Sequence, residues 1–422
     1  VFVMGTAGCT SQLAGSQTGT TTGTTQETTE SSGTTEASTE PLRIGVVQPY
    51  SGDLSEFGSP MENGQRLAVK HINAAGGING RQVELVTEDS GTKPSQGVNA
   101  ANKLVENQNV SIIIGAVSSS VTISIAKSVT IPNKIMHISA ASSSPLITTL
   151  KDNDYVWRTR TNDRFSAQAM ARVLADKGVQ KAAVVHIDND FGTALADTFE
   201  QSFQGTTTAK VGYKKGRSSY RSVLDQAFAD NPEWVVYGGY TQSGKTIMKQ
   251  WKEGGYGGNW MLHSTVMSED FVTGVGRDVA AGMWGVQPRP PKGDAVDAFN
   301  SEYKNTYPDA PLFRPYTSNS YDAIMSYALA AQKAGTADPT KVKVNMRPVS
   351  NPPGTTVGYE SFQQGKTRIG NGNDINYRGP SGAVDYNDAG ETASDMGIFK
   401  ITASGDPMFK IQRTVPASEL VK

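Results

Sequence analysis

From Leu42 onward, apolar runs of strand length alternate with segments whose apolar residues recur at helical spacing. Residues 42–48 predict a first strand. Residues 61–74 follow, with Met61, Ala68 and Ile72 on one helical face and Gly76-Gly77 as a stop. A strand at 82–87 leads to a helix at 94–108, with Pro94 suited to its first turn. Residues 110–114 are wholly apolar, 121–130 have helical spacing, and 135–139 predict another strand. After Tyr155-Val156-Trp157-Arg158 the alternation restarts. Strands are predicted at 182–187, 234–237 and 260–263, and helices at 193–204, 218–229 and 244–253. A strand at 282–286 runs into Gln287-Pro288-Arg289-Pro290-Pro291, which reads as a crossing between units. Helices at 295–306 and 318–334 come next, and 382–385 and 396–401 read as closing strands. Residues 347–379, rich in Gly, Pro and Asn, show no readable period. This order implies an α/β chain with parallel, doubly covered sheets and no solenoid repeat.

Length divides the pattern in two. A body of about 380 residues exceeds one ordinary core, so a second α/β unit is placed from about Asn162. Residues 10–40 differ from it sharply: 17 of these 31 residues are Ser or Thr, with one leucine and no Lys or Arg. Such a stretch cannot bury enough apolar surface to offset its ordering entropy, and it reads as a disordered tether. Glu27, Glu30, Glu36 and Glu40 lie in it, so the body from Pro41 carries 39 basic and 36 acidic residues. That balance gives no argument for nucleic acid or a charged membrane surface as partner.

Cys9 is the one cysteine, which excludes an internal disulfide and a multi-cysteine metal site. It follows Thr6-Ala7-Gly8 and the apolar stub Val1-Phe2-Val3-Met4, far short of the roughly 20 residues a membrane span needs. Residues 1–9 read as the remnant of a lipoprotein signal, with Cys9 as the point of lipid attachment. The alternative is an ordinary buried cysteine, which the polar tether beside it argues against.

Ligands of open parallel sheets bind beyond the carboxyl ends of the strands. After 110–114 comes Gly115-Ala116-Val117-Ser118-Ser119-Ser120, and after 135–139 comes Ala140-Ala141-Ser142-Ser143-Ser144-Pro145. Clustered hydroxyls and backbone N–H groups at a helix start suit a carboxylate, and they equally suit plain N-capping. In the second unit, Asp188-Asn189-Asp190-Phe191-Gly192 and Gly238-Gly239-Tyr240 put aromatics beside glycines at strand ends. They can wall a pocket or pack locally. The four histidines are scattered without metal-ligand spacing, and no phosphate loop or nucleophile elbow appears. Binding without catalysis is therefore expected, with no cofactor or metal.

Taken together, the body resembles the Leu/Ile/Val-type solute-binding proteins of ABC transporters. The residues that carry the resemblance are Ile44-Gly45-Val46-Val47, Ser51-Gly52, Phe57-Gly58, Ile72-Asn73 and Gly76 to Gly80. They continue with Ile114-Gly115, Ser118-Ser119-Ser120, Ile138-Ser139, Tyr237 to Tyr240 and Tyr321-Asp322-Ala323. Asp374 to Tyr377, Gly379 to Gly382 and Asp385 complete the set. The resemblance implies a type I periplasmic-binding fold: two Rossmann-like lobes joined by three hinge crossings near Thr161, Pro288 and Ser394. Lobe 1 would comprise 42–161 and 289–394, and lobe 2 would comprise 162–288 and 395–422. It implies that Ser119, Ser143 and the carbonyl of Ala141, with Ser118 beside them, hold an amino acid's carboxylate and amine. Phe57, Phe191 and Tyr240 would supply the aromatic walls. Those binders pair the ammonium with an acidic residue where this chain has Ser264, which leaves Asp188, Asp190, Glu269 and Asp270 as nearby candidates.

The function implied is capture of a small carboxylate-bearing solute, an amino acid of branched-chain type or a related amide or organic acid, by hinge closure. The partners implied are that solute and ABC permease subunits, with a lipid anchor on the extracytoplasmic face of the membrane and a monomeric chain. A sensor of the same fold, passing a closed state to a signalling partner, is the alternative.

Overall fold

Ile112, Ile113 and Ile114 are each fully buried, which requires apolar cover on both faces of the strand that carries them. The computed structural model describes residues 40–289, 292–310, 316–404 and 408–420, within one unit, Ser38–Lys422. Cys9, the signal remnant at 1–9, the tether up to residue 39, and Pro290 and Pro291 lie outside the described residues.

The first sheet is parallel throughout. Its strands are β1 (Leu42–Gln48), β2 (Val83–Asp89), β3 (Ile112–Gly115), β4 (Met136–Ser139) and β5 (Val156–Arg158), in the order β2-β1-β3-β4-β5. Side chains alternate between its faces. Ile112 and Ile114 join Met61, Ala68 and Ile72 of the helix Ser55–Ala74 on one side. Ile113 and Val47 join Ala100, Ala101 and Leu104 of the helix Pro94–Gln108 on the other.

The second sheet has the order β15-β14-β10-β9-β8-β6-β7. Its parallel part is β6 (Lys181–Ile187), β7 (Thr206–Tyr213), β8 (Trp234–Gly238), β9 (Asn259–His263) and β10 (Trp284–Pro288). A small third sheet holds β11 (Thr355–Val357), β12 (Ile375–Gly379) and β13 (Gly382–Ala383). Then β14 (Met396–Ile401) and β15 (Phe409–Val415) add antiparallel to the edge at β10. The chain thus leaves the first sheet after β5, returns after β10 to pack the helix Thr317–Ala334 against Ser55–Ala74, and rejoins the second sheet at β14.

The expected alternation is present, with differences at the margins. The helix expected at 121–130 begins at Ser119 and widens into a π-helical turn at Ala126–Thr130. The helix expected at 218–229 is Arg221–Phe228, and the strand expected at 282–286 is Trp284–Pro288. The edge strands β7 and β15 escaped prediction because most of their side chains are exposed or half-buried and show no apolar run. Residues 347–379 resolve into short pieces, among them β11, the helix Phe362–Gly370 and β12, each too brief to show a period.

Candidate ligand-binding site

The loops after β3 and β4 are locked together by their own hydroxyls. Gly115 has φ +141°, and a Cβ there would stand 2.1 Å from the Val47 carbonyl oxygen, so glycine lets the loop leave β3 hard against β1. Ser142 Oγ donates to the Ala116 carbonyl at 2.9 Å, and Ser139 Oγ donates to the same oxygen at 2.7 Å. Ser119 Oγ accepts the N–H groups of Ser143 (3.2 Å) and Ser144 (3.1 Å). With both lone-pair positions used, the Ser119 hydroxyl is left with its own proton to donate. Ser143 is the converse: its hydroxyl donates to Asp163 Oδ2, so it has lone pairs to offer. Ser144 is an N-cap, accepting from the Leu146 N–H at 3.3 Å, and its hydroxyl donates to the Asp190 carbonyl at 2.9 Å. Ser118 makes no side-chain cap bond.

Aromatic rings close this shelf. Phe191 stacks on Tyr240 with centroids 5.8 Å apart and planes 7° from parallel, and the Asn189 amide donates to the Tyr240 hydroxyl at 3.1 Å. Phe57 lies 5.7 Å from the Tyr316 ring. Ser118, Ser119, Ala141, Ser143, Phe57, Phe191 and Tyr240 line one cavity of about 20 Å³, together with Thr265 and Tyr316. Seven of the eight sequence-expected residues therefore meet at one place.

Ser264 is the exception. It lines a second cavity of about 200 Å³ on the hinge side, with Arg160, Thr161, Tyr316, Asn319 and Ser394 among the walls. Its hydroxyl accepts from Arg160 Nη2 at 3.1 Å and lies 3.1 Å from the Tyr316 hydroxyl. Arg160 also lies 3.5 Å from Asp163 Oδ1 and covers the Tyr316 ring at 4.9 Å. Asp163 Oδ1 contacts His263 Nε2 at 2.8 Å and accepts from Ser166 at 3.0 Å. Arg160, Asp163, His263 and Ser264 are all buried.

With this geometry in view, residues 41–405 match the family model described as periplasmic binding protein. The chain belongs to that family. Its fold is the type I periplasmic-binding fold, and the resemblance to the Leu/Ile/Val-type solute-binding proteins holds. The chemotactic signal transduction system substrate-binding protein BasB of Halobacterium salinarum is 27% identical over 374 residues, 87% of this chain and 88% of that one. The leucine-, isoleucine-, valine-, threonine- and alanine-binding protein of Pseudomonas aeruginosa is 27% identical over 319 residues, 74% and 83% of the two chains. Among solved structures, a leucine-binding protein LivK of Thermotoga maritima superposes with a TM-score of 0.76 at 21% identity, covering 90% of this chain and 99% of that one. These are binding proteins, and this periplasmic binding protein is likewise not an enzyme.

The electrostatics of the binding protein separate the two cavities. Burial raises the Tyr240 phenol, against hydrogen bonds from Ser118 and Asn189. At the hinge side, burial alone would raise the Asp163 carboxyl, but His263 and Arg160, with the Ser143 hydroxyl, hold it well below the usual carboxylate range. Nearby, Arg158 pairs with Glu391 in the interior, and burial pushes its guanidinium down to about 9. The acids considered as amine partners line neither cavity: Asp188 and Glu269 are exposed, and Asp270 pairs with Lys245 at 2.7 Å. Sequence reading passed over Arg160, Asp163 and Tyr316 and gave His263 no role. Among the described residues, His71, Glu302 and Glu360 bring ligand atoms within 4.8 Å of one another, but Lys70 and Tyr359 already occupy Glu302 and the group lies outside both cavities. No described helix is long and apolar enough to cross a membrane.

Proposed function

We propose that this protein captures a small carboxylate-bearing solute, an amino acid or a related acid, between two lobes, 42–161 with 289–394 and 162–288 with 395–422. The Ser119 hydroxyl carries the reading. Two backbone N–H groups fill its acceptor positions, so at the cavity wall it presents only a donor, which is what a carboxylate oxygen takes. The Ala141 carbonyl and the Ser143 lone pairs offer acceptors for an amine or amide on the same solute. Hinge closure about the crossings near Thr161, Pro288 and Ser394 brings the second-lobe aromatics over the ligand. The Thr161 and Ser394 hydroxyls, 2.6 Å apart, tie two of those crossings together. The closed protein then delivers its solute to the permease of an ABC importer on the extracytoplasmic face, held there by lipid on Cys9.

Isothermal titration of the protein against amino acids and small organic acids tests the reading, and heat of binding from at least one carboxylate is expected. Silence across the panel sinks it. The similarity to BasB favours a second reading, a sensor whose closed state engages a signalling receptor. Capture of permease subunits by the ligand-loaded protein supports transport, and capture of a receptor instead supports sensing.

A further inference from the structure

The hinge-side cavity holds a cation that nothing in the protein fully satisfies. Arg160 is 1% exposed, yet neither its Nε nor its Nη1 has a hydrogen-bond partner. Its remaining nitrogen, Nη2, donates to Ser264, with Asp163 3.5 Å away. Asp163 is already engaged by the Ser143 hydroxyl on one oxygen and by His263 and Ser166 on the other. Tyr316 meets the flat face of the guanidinium, which leaves its N–H edge unpaired. Buried guanidinium donors are costly to leave without acceptors, and such exceptions in a folded protein call for an explanation.

The cavity itself supplies one. Its described lining includes two arginines, Arg160 and Arg289, and no carboxylate. Arg289 donates to the Thr414 hydroxyl through Nη1, whereas Arg160 carries two buried donors without a partner. The remaining walls are largely hydroxyls, amides and rings. An ammonium group brought here would face the unpaired Arg160 donors with no acceptor to offer them. A carboxylate would meet its preferred partner, because guanidinium donors match carboxylate oxygens in geometry and charge. Tyr316 lines this cavity and the serine-lined one, so the two lie at one ring.

We propose that Arg160 is an anion-binding subsite, and that the solute is a small acid with two carboxylates, one at Ser119 and the other at Arg160. This rests on the reading of the serine-lined cavity as a carboxylate site. It turns the presence of Ser264 into a specificity device: the position accepts a hydrogen bond from Arg160 and holds the guanidinium toward the second cavity.

The test compares acids with their isosteric monoamides. Succinate, glutarate and glutamate are titrated calorimetrically beside succinamate, glutaramate and glutamine. At least one diacid binds about tenfold or more tightly than its amide, as a charge-assisted pair requires. Arg160→Gln brings that ratio to within about twofold, and Arg160→Lys keeps part of it. Ser119→Ala weakens acid and amide alike. Amides that bind the natural protein as well as the acids do overturn the subsite. So does an Arg160→Gln protein that keeps the ratio, or loses affinity for acid and amide equally, since that is the result of a purely structural arginine. A protein that binds no carboxylate at all overturns the underlying reading and the subsite with it, a result distinct from the others.

Discussion

The serine-lined cavity and the hinge-side cavity share the ring of Tyr316 and little else. The first is built of neutral dipoles: two short loops cross-bond so that Ser119 has a proton to give and Ser143 has lone pairs. The second has a charge in its wall, Arg160, whose neighbours Asp163 and His263 are buried with it and line neither cavity. Neutral hydroxyls on successive strands come to one place by sheet order alone. A buried charge needs partners from several elements to hold it, and each partner removed leaves another group stranded. The neutral cavity should therefore answer single changes mainly with a loss of affinity, while the charged one should answer with a larger loss of stability.

Asp163→Ala breaks this contrast most severely. It removes the acceptor of the Ser143 hydroxyl, the counterion of Arg160 and the hydrogen-bond partner of His263. Loss of one member of a buried charged network costs about 3–5 kcal/mol, to be read from urea unfolding of the unliganded protein. Asp163→Asn keeps the shape and should lose less. An Asp163→Ala protein as stable as the natural one would mean that the network contributes nothing.

Each cavity also rests on a buried titratable group, and the two act in opposite senses. Beneath the serine loops, His137 bonds the Gly115 carbonyl at 2.8 Å, and burial pushes its imidazole down to about 4. Beneath the hinge side, Asp322 accepts from Tyr377 at 2.6 Å and from the Ser381 N–H at 2.8 Å, and burial pushes its carboxyl up to about 7. For His137 the folded state binds protons more weakly than the unfolded chain, so stability falls as pH drops from about 6.5 to about 4. For Asp322 the folded state binds its proton more tightly, so stability rises as pH drops from about 7 towards about 4. Each shift amounts to about 3–4 kcal/mol and the windows overlap, so the natural protein should show a shallow profile there. His137→Gln should gain stability on acidification and Asp322→Asn should lose it. Denaturant melts of both variants at pH 4.5 and 7.5 check the pair, and parallel profiles would refute it.

Ser119→Ala should weaken every carboxylate ligand, by about 1.5–3 kcal/mol for one hydrogen bond to a charged group, and should also lower unfolding stability by about 1–3 kcal/mol, because the Ser143 and Ser144 N–H groups lose their acceptor. Titration with a single bound acid and urea unfolding check the two. If affinity holds while stability falls, the hydroxyl serves only to staple the loops.

How much of this was legible follows the same division. The strands 110–114 and 135–139 and the hydroxyls after them lie side by side in sequence, so the shelf of Ser118, Ser119, Ala141 and Ser143 could be read from the chain together with its family likeness. The charged side could not. Asp163 and His263 are 100 residues apart, and the second sheet must form before they meet. The candidates Asp188, Asp190, Glu269 and Asp270 were chosen for nearness in sequence, and none of them lines either cavity. The short elements at 347–379 escaped for a related reason: they are held by packing on the helix Thr317–Ala334 and not by a period of their own.

The finest separation of the two cavities comes from the residue they share. Tyr316 gives its ring to Phe57 and Arg160 and its hydroxyl to Ser264. Tyr316→Phe keeps both ring contacts and deletes one hydrogen bond on the hinge side, a loss of about 1 kcal/mol. The deleted hydroxyl bonds Ser264, on the hinge side. Affinity for a diacid should therefore fall severalfold while affinity for its monoamide, held at Ser119, stays level. Equal losses for the two ligands would mean that the ring alone frames a single pocket and that the hinge side has no separate say in which solute is held.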